Sequence, residues 1–586
     1  MTRGLSGGFP SYPIYEPQRR LRVLVIGAGA SGLLLAYKLQ RHFDQLDLLV
    51  FEKNPAVAGT WFENTYPGCA CDVPSHCYTW SFEPNPRWSA TYAGSQEIRQ
   101  YFTHFCDRHG LSKYIRLQHE VTRAEWQADK SQWAVDVRDL QRGEDAQHTA
   151  DIVVDATGIL NRPRWPAIEG LSSFKGAVVH TAVWDHSVRL KDKTVAVIGN
   201  GSSGIQVLPA ILPSVHKIVH FIRQPAWISP PVEDGYRQYS QSEIDRFVSD
   251  PAALLAERRR IEQRMNSAFP MFIHGSDHQK YFQHGVRTAM EQQLVGHEQL
   301  QDTLIPNFPF GCRRPTPGPG YLQALTDPKV QVISGAVISQ VTEDSMILDD
   351  GRSYEVDAIV CATGFNTSYV PRFPVVGQKG QKLWEDGEVS GYLGLAVPGF
   401  PNYFNILGPN CPVGNGPVLI VIEQQVSYII QMLAKLQKEN RRACEVSEEA
   451  TRTFNAWKDS FMQHTVWTSG CRSWYHGGGR SDRVVALWPG STLHYLEATQ
   501  QPRYEDWIWT ADADSNPWAF LGNGSSSAEA RPGGDLSWYL RTEDDEPVDP
   551  CLTQKRSDDE VNCSKKNKLK SANSCHVEQG STEILV

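Results

Sequence analysis

Several features that would place this chain in a specialised class are missing from it. No uninterrupted apolar run is long enough to cross a membrane, and the first residues lack the apolar core of a secretion signal. The formal net charge of −9 argues against a general nucleic-acid binder. Twelve cysteines are few for 586 residues, and no CxxC pair occurs, so neither a disulfide scaffold nor a zinc cluster is expected. These absences predict a soluble cytoplasmic protein with no membrane span, no nucleic-acid partner and no metal site.

Two stretches come nearest to being exceptions. Cys69, Cys71 and Cys77 lie close together, but their spacing predicts reduced, unconnected thiols. The most apolar stretch begins at Val418 and is interrupted by Glu423 and two glutamines, so it predicts a buried amphipathic helix. The sequence carries no signal of a particular oligomeric state.

Two parts of the chain share one plan of strand, glycine-rich turn, helix and strand, at residues 21–52 and 193–223. Two further segments echo each other, DIVVDATG at 151–158 and DAIVCATG at 357–364. Each is an apolar strand that closes on Ala-Thr-Gly, where the chain of a domain returns to its sheet. The pattern predicts an α/β fold with two dinucleotide-binding, Rossmann-like domains built on parallel sheets.

The pattern becomes helical between about residues 235 and 305. Ser240 with Glu243 forms a capping box, and Pro251 opens another helix, which predicts a helical insertion in the second nucleotide domain. After Tyr539 no aromatic residue occurs, and such a segment cannot bury a core. The first nucleotide domain is predicted in two pieces, 20–165 and 386–540. The second nucleotide domain, 166–385, lies between them, and 541–586 is predicted to be a disordered tail.

The first glycine loop, GAGASG, has the spacing GxGxxG and opens a helix directly after an apolar strand. Its amides and the helix dipole can face a pyrophosphate. The second strand ends in Glu52, where a carboxylate holds the hydroxyl pair of an unphosphorylated adenosine ribose, as in FAD or NAD. The residues predicted to hold this cofactor are Gly27, Gly29, Ser31, Gly32 and Glu52.

The second glycine loop, GNGSSG, repeats the spacing, but its partner strand is followed by Arg223 where the first has an acid. A guanidinium there pairs with a ribose 2′-phosphate, which favours NADP over NAD; the alternative is a plain surface charge. The residues predicted to hold NADP are Gly199, Gly201, Ser202, Ser203, Gly204 and Arg223.

A loop for FAD and a loop for NADP together indicate a flavin oxidoreductase. Disulfide reductases share this plan, but they require a redox-active cysteine pair near the flavin, and the missing CxxC counts against them. The remaining common use of such a pair of sites is the activation of dioxygen.

One further segment, FKGAVVHTAVWD at 174–185, lies between the first Ala-Thr-Gly strand and the second glycine loop. It resembles the FxGxxxHxxxW(P/D) fingerprint of the Baeyer–Villiger monooxygenases, which use FAD, NADPH and dioxygen to insert an oxygen atom beside a ketone carbonyl. The resemblance implies that the segment lies at the hinge of the two nucleotide domains, where its histidine coordinates domain movement with cofactor state. The matching residues are Phe174, Gly176, His180, Trp184 and Asp185.

The resemblance extends over about residues 20 to 540. GTWFENTYPGCACD looks like the flavin segment of the family, which implies flavin contacts by Gly59, Thr60, Trp61 and Asp72. The sequence departs from the family at Ala70, where an arginine is common.

FGCRRPTPGPGY resembles the segment that holds the catalytic arginine of the family, which here is Arg314. A guanidinium is always protonated, so it stabilises the anionic oxygen of oxygen transfer in a site closed to water. The resemblance implies that Asp72 keeps this guanidinium aligned and that Arg313 helps bind the NADP phosphate. It also implies that Trp474, in CRSWY, covers the nicotinamide. The alternative for Asp72 and Arg314 is a structural ion pair that joins two domains.

Three hypotheses follow. The first is a Baeyer–Villiger monooxygenase acting on a ketone and dioxygen; PTPGPGY and YEDWIWTADAD look most like fungal members that act on secondary metabolites. The second is a related flavin monooxygenase that oxygenates nitrogen or sulfur, which normally lacks the segment 174–185. The third is a non-catalytic FAD-fold binding protein, which would not need Arg223, Arg314 or the second glycine loop.

Overall fold

The computed structural model describes residues 10–540 except 233–234, 386–387, 413, 472, 480–482 and 512–515. The tail predicted to be disordered, 541–586, lies outside the described residues. Among the described residues the chain forms a large unit, 17–517, and a small one made of 10–16 and 518–540. The two glycine loops, the flavin segment and the fingerprint all belong to the large unit.

The first part of the large unit contains one helix between its first two strands and a later run of short strands. Its elements are β1 (Leu21–Ile26), α1 (Ala30–His42), β2 (Leu46–Glu52), α2 (Thr60–Glu63), α3 (Ser95–Arg108), β3 (Ile115–Leu117), β4 (His119–Gln127), β5 (Gln132–Asp139), β6 (Glu144–Ala150) and β7 (Ile152–Asp155).

The middle part begins with the fingerprint strand and contains the second glycine loop. Its elements are β8 (Ala177–His180), β9 (Thr194–Ile198), α4 (Ser202–Ile211), β10 (Lys217–Ile222), β11 (Ile228–Ser229), α5 (Gln241–Ser249), α6 (Pro251–Ser267), α7 (Asp277–Gln293), α8 (Glu298–Leu304), β12 (Thr316–Pro317), α9 (Tyr321–Leu325), β13 (Val330–Ser334), β14 (Ile338–Val341), β15 (Ser345–Leu348), β16 (Ser353–Glu355) and β17 (Ala358–Cys361).

The last part returns to the first sheet and adds the longest helix. Its elements are β18 (Val375–Val376), β19 (Tyr403–Asn405), α10 (Val418–Lys438), β20 (Ala443–Val446), α11 (Glu448–Met462), α12 (Thr492–Ala498) and β21 (Trp507–Thr510).

Two five-stranded parallel sheets form the frame. The first has the order β19-β7-β1-β2-β3 and the second the order β13-β10-β9-β17-β8. Their central strands read as continuous apolar runs because helices and loops cover both faces. In each sheet the Ala-Thr-Gly strand, β7 or β17, pairs with the strand that leads into the glycine loop. The predicted α/β fold with two dinucleotide-binding domains is confirmed.

The helices α5 to α8 occupy the stretch predicted to be helical. Ser240 and Glu243 form the predicted capping box at the start of α5, and Pro251 is the first residue of α6. From α6, Arg258 donates three hydrogen bonds of 3.0–3.2 Å to backbone carbonyls within residues 76–81. These bonds hold the helices against the segment that follows Asp72.

The stretch that begins at Val418 forms the helix α10, as predicted. By length and composition alone α10 could cross a membrane, and it is the one such helix in the described part of the chain. Its apolar side packs into the core against α1, and the fully buried Gln425 bonds to the backbone at Leu407 and Gly394. The helix α10 is therefore buried in the way that is typical of a core helix.

Two small antiparallel meanders were not predicted from the sequence. The strands β4, β5 and β6 form a meander that β18 joins in parallel, and β14, β15 and β16 form a second meander. Neither layer contains a residue of the predicted sites.

Candidate active site and cofactor sites

The first glycine loop is shaped by close backbone contacts. Gly27 has a φ of +103°, and a Cβ there would lie 2.8 Å from the carbonyl oxygen of Ala156. A Cβ on Gly32 would lie 1.9 Å from the carbonyl oxygen of Gly27. Gly29 is the N-cap of α1 and supplies no side-chain bond, so the first amides of the helix, Ser31 included, can bind an anion. This geometry fits the pyrophosphate of a dinucleotide.

Glu52 lies at the end of β2 beside this loop and is buried. Its carboxylate accepts hydrogen bonds from the amides of Ala28 (2.8 Å) and Asn54 (2.9 Å). Burial raises the pKa of Glu52, and the two amide bonds oppose that rise. Two amides leave lone pairs on both oxygens, so the carboxylate can also accept from a ribose hydroxyl pair.

The flavin segment begins directly on the first loop. A Cβ on Gly59 would lie 2.9 Å from Cα of Gly29, and Thr60 starts the short helix α2. Trp61 is buried, and its indole nitrogen donates to the hydroxyl of Tyr78 at 3.2 Å. The predicted contacts Gly59, Thr60 and Trp61 are therefore next to the loop that fits a pyrophosphate.

The second glycine loop repeats the geometry of the first. Gly199 has a φ of +102°, and the N-cap of α4, Gly201, supplies no side-chain bond. A Cβ on Gly201 would find no atom within 4 Å, which leaves room for a phosphate over the amides of Ser202 and Ser203. The carboxyl end of β9 thus offers geometry that fits a second anion.

Two arginines lie together at the end of the neighbouring strand. Arg223 follows β10 and is exposed, while Arg313 is half-buried and donates to the side chain of Gln224 and to the carbonyl of Pro225 (3.4 Å). Burial and then the charge of Arg223 lower the pKa of Arg313. A bound anion reduces the repulsion between the two guanidinium groups, so the pair fits the 2′-phosphate of NADP.

Asp72 and Arg314 form a forked ion pair. Nε of Arg314 lies 2.5 Å from Oδ2 of Asp72, and Nη2 lies 2.9 Å from Oδ1. The two side chains remain 34% and 23% exposed for Arg314 and Asp72. Burial disfavours ionisation of Asp72, but the charge and hydrogen bonds of Arg314 outweigh it and lower the pKa of the carboxyl. Both groups are therefore ionised at neutral pH.

Aromatic rings and a disulfide surround this pair. Tyr475 is buried beside Arg314, and its ring packs edge-on against the half-buried Trp474 at 4.8 Å. A disulfide joins Cys312 to Cys471 across 159 residues, so it ties the segment of Arg314 to the loop of Trp474. The cysteine count alone did not indicate this disulfide.

The other cysteine prediction is confirmed. Cys69, Cys71 and Cys77 are buried free thiols, and burial raises the pKa of each.

The fingerprint histidine lies where the two connections between the sheets meet. The amide of Arg164 donates to the carbonyl of Gly364 at 2.9 Å, so the outgoing and returning connections pair with each other. His180 ends β8 beside this crossing; it is fully buried, accepts from the amide of Ala182 at 3.0 Å and contacts the ring of Trp165. Burial lowers the pKa of His180. A neutral histidine at such a crossing suits a hinge.

The remaining fingerprint residues support this strand rather than enter a site. Phe174 is buried in the core of the second domain, and a Cβ on Gly176 would lie 2.3 Å from the carbonyl oxygen of Asp357. Trp184 packs against the core, and Asp185 is exposed and accepts from the amide of Ser187 at 2.8 Å.

The structure brings together some predicted residues and adds others. Asp72 lies beside Arg314, and Arg223 lies beside Arg313. The members of each pair are far apart in the sequence, so no local sequence pattern relates them. A cavity of about 70 Å³ lies at the carboxyl ends of β7 and β19, and it was not predicted. Buried polar atoms of Tyr369 and Asn405 in its wall have no hydrogen-bond partner.

Comparison with known proteins places this geometry in a family. A family profile described as an NAD(P)-binding Rossmann-like domain matches residues 25–94. The chain is 38% identical over 545 residues to the FAD-binding monooxygenase tazF of Aspergillus terreus, covering 90% of this chain and 96% of that one. It is 34% identical over 533 residues to a Baeyer–Villiger monooxygenase of Streptomyces coelicolor, covering 89% and 97%. The chain belongs to the Baeyer–Villiger monooxygenase family.

Solved structures of Baeyer–Villiger monooxygenases and related enzymes share the fold. The cyclohexanone monooxygenase of Rhodococcus sp. Phi1 bound to NADP+ superposes with a TM-score of 0.74 at 26% identity, covering 85% of this chain and all of that one. An oxidised steroid monooxygenase bound to NADP gives 0.73 at 26% identity, covering 84% and 99%. This Baeyer–Villiger monooxygenase is therefore an FAD-dependent enzyme that uses NADPH, as the two glycine loops predicted.

Proposed function

We propose that this enzyme converts a ketone to an ester or lactone with NADPH and dioxygen, and that the ketone is a secondary metabolite such as a polyketide. The forked pair of Asp72 and Arg314 carries the proposal, because it presents a fixed positive charge at the edge of the flavin segment. The fungal relative tazF, an FAD-binding monooxygenase, supports the choice of substrate class together with the segments PTPGPGY and YEDWIWTADAD.

Arg314 has donors to spare. A guanidinium has five N–H donors, and the fork to Asp72 occupies one on Nε and one on Nη2. The three remaining donors can bind the oxygen on which negative charge develops, and Asp72 fixes the plane in which they point. Bound FAD, once reduced by NADPH, supplies the activation of dioxygen.

Two buried aromatic side chains near Arg314 restrict the access of water to it. Tyr475 is buried beside Arg314, and burial raises the pKa of its phenol, so the ring stays neutral. Trp61 is buried on the flavin segment and anchors to Tyr78. A charge acts more strongly where such groups exclude solvent.

The cofactor residues take the roles that their contacts suggest. The proposed FAD site consists of the first loop, Glu52 and the segment from Gly59 to Asp72, within a domain of residues 20–165 and 386–540. The proposed NADPH site consists of the second loop with Arg223 and Arg313, within residues 166–385, and Trp474 covers the nicotinamide. His180 acts at the hinge between the two domains.

The test is product analysis with a panel of cyclic and polyketide-like ketones. The purified enzyme is expected to be yellow, to oxidise NADPH in response to a ketone, and to give an ester that carries one atom of labelled dioxygen. Oxygenation of an amine or sulfide without any ester would favour the second hypothesis. A colourless protein that leaves NADPH untouched would favour a binding protein.

A further inference from the structure

The helix α4 contacts the two chain segments that carry Asp72 and Arg314. Its first residue, Ser202, places Oγ 3.1 Å from Oγ1 of Thr316, and that hydroxyl donates to the carbonyl of Arg314 at 3.4 Å. The N-terminus of the same helix carries the second glycine loop, where the proposed function places the NADPH pyrophosphate.

On the next turn of α4, Gln206 reaches the segment of Asp72. Its Oε1 accepts a hydrogen bond of 2.7 Å from the hydroxyl of Tyr66, and its Nε2 donates one of 3.0 Å to the carbonyl of Ala70. Between these two residues the chain touches the helix itself, because a Cβ on Gly68 would lie 2.6 Å from the carbonyl oxygen of Gln206. Residues 66–70 are therefore held against α4 from both ends.

We propose that Gln206 is a positioning residue that couples nucleotide binding at the second glycine loop to the alignment of Asp72 with Arg314. Ala70 precedes Asp72 by two residues, so a bond that fixes its carbonyl also fixes the direction from which Asp72 meets the guanidinium. The inference rests on the proposed function, since it assigns the nucleotide to the loop at the start of α4. Ala70 has no long side chain, so the contact with α4 is made by its backbone.

The expected effect of replacing Gln206 is that of losing one hydrogen bond, from its side chain to the carbonyl of Ala70. Loss of such a bond changes an equilibrium by roughly two- to tenfold. Because Gln206 does not contact the reacting atoms, this factor is expected in the fraction of NADPH oxidation that yields ester. Because a coupling between two sites is reciprocal, the Kd for NADP+ should rise by no more than the same factor.

The experiment compares three variants of the holoenzyme. Gln206→Ala removes both bonds, and Tyr66→Phe removes only the bond to the tyrosine hydroxyl. Gln437→Ala is the control, because Gln437 also makes two side-chain hydrogen bonds to distant parts of the chain, to the carbonyls of Gln45 (2.8 Å) and Arg19 (3.3 Å), away from α4. Ester and hydrogen peroxide formed per NADPH are measured for each variant.

A second measurement does not depend on turnover. Hydrogen exchange in the peptide that spans 66–72 is followed with and without NADP+. The nucleotide is expected to slow exchange in the parent, in Tyr66→Phe and in Gln437→Ala, but much less in Gln206→Ala. Should Gln206→Ala lose its flavin, Gln206→Asn takes its place, because its shorter side chain withdraws from Ala70.

Parental ester yield together with parental protection in Gln206→Ala would overturn the inference, and so would an equal loss of yield in Gln437→Ala. A parent that makes no ester from any ketone refutes the proposed reaction instead. In that case the exchange measurement still decides whether Gln206 transmits nucleotide binding to the segment of Asp72.

Discussion

Replacement of Arg314 by alanine is the sharpest test of the active site. The substitution removes the charge that faces the reacting oxygen and leaves Asp72 without the two bonds of 2.5 and 2.9 Å that it now accepts. FAD binding should survive, because the first glycine loop and Glu52 do not contact Arg314. The variant is therefore expected to fold, to bind FAD and to be reduced by NADPH.

The loss in ester formation should be on the order of a hundred- to a thousandfold, the usual effect of deleting one preorganised group that stabilises a developing anion. The loss in stability is smaller. The two side chains are 34% and 23% exposed, so the uncompensated carboxylate costs about 1–2 kcal/mol at neutral pH rather than the value for a fully buried pair.

The stability loss should depend on pH in a fixed direction. In the parent the pKa of Asp72 is lowered, so its contribution to folding is present above the unfolded pKa of about 3.9 and fades as the pH falls through the folded value. Without Arg314, burial remains and raises the pKa of Asp72. The melting temperatures of parent and Arg314→Ala should differ most near pH 7 and converge only as the pH falls below about 4, through the lowered folded pKa of Asp72.

The assay measures flavin reduction under nitrogen, then ester and hydrogen peroxide in air. NADPH consumption by Arg314→Ala should appear as hydrogen peroxide. Arg314→Lys should recover only part of the ester yield, since an ammonium lacks the planar fork that binds Asp72 and the reacting oxygen together. Ester formation by Arg314→Ala within about tenfold of the parent would refute the assignment, and Arg313 would be the next candidate.

Three other perturbations have definite outcomes. Arg223→Ala should raise the KM for NADPH roughly ten- to a hundredfold and leave that for NADH nearly unchanged, as expected for one charge-assisted phosphate contact; equal losses with both nucleotides would contradict this role. His180→Ala should keep its FAD but slow flavin reduction or lower the ester yield, and loss of the yellow colour on desalting would argue against a hinge. Cys312→Ser should lower the melting temperature, because a link across 159 residues stabilises a fold by up to about 5 kcal/mol. Alkylation of Cys312 and Cys471 in the untreated protein would show that the link is not formed.

Features that depend on local backbone geometry could be predicted from the sequence. The helix that the first glycine loop was predicted to open is observed at Ala30–His42, because a GxGxxG turn requires both the preceding strand and the helix that it opens. The capping box at Ser240 was equally visible, since its bonds join two residues only three positions apart. The pairing of Asp72 with Arg314 was implied by resemblance rather than by any local pattern.

Contacts between distant segments had no such signal. Gln206 meets Ala70 across 136 residues, and the disulfide spans 159. Both arise from the packing of α4 and of the loop after α11 onto the flavin segment, and no spacing rule connects residues that are brought together in this way. For the Arg223–Arg313 pair, the position of Arg223 at the end of β10 was predictable from the local pattern, whereas the role of Arg313 was implied only by resemblance.

The pairing of β19 with β7 has a consequence for biosynthesis. The side chain of Asn402 donates to the carbonyl of Asp151, a partner 251 residues earlier in the chain. At the usual rate of about 5–20 residues per second, the ribosome takes roughly 10 to 50 seconds to make the residues between them. During that interval β7 presents an open edge to solvent, while the second sheet already has all five of its strands before β19 emerges. The order of synthesis thus favours folding of the second nucleotide domain first. The first sheet, whose strands lie on both sides of that domain in the sequence, is completed last, when β19 pairs with β7.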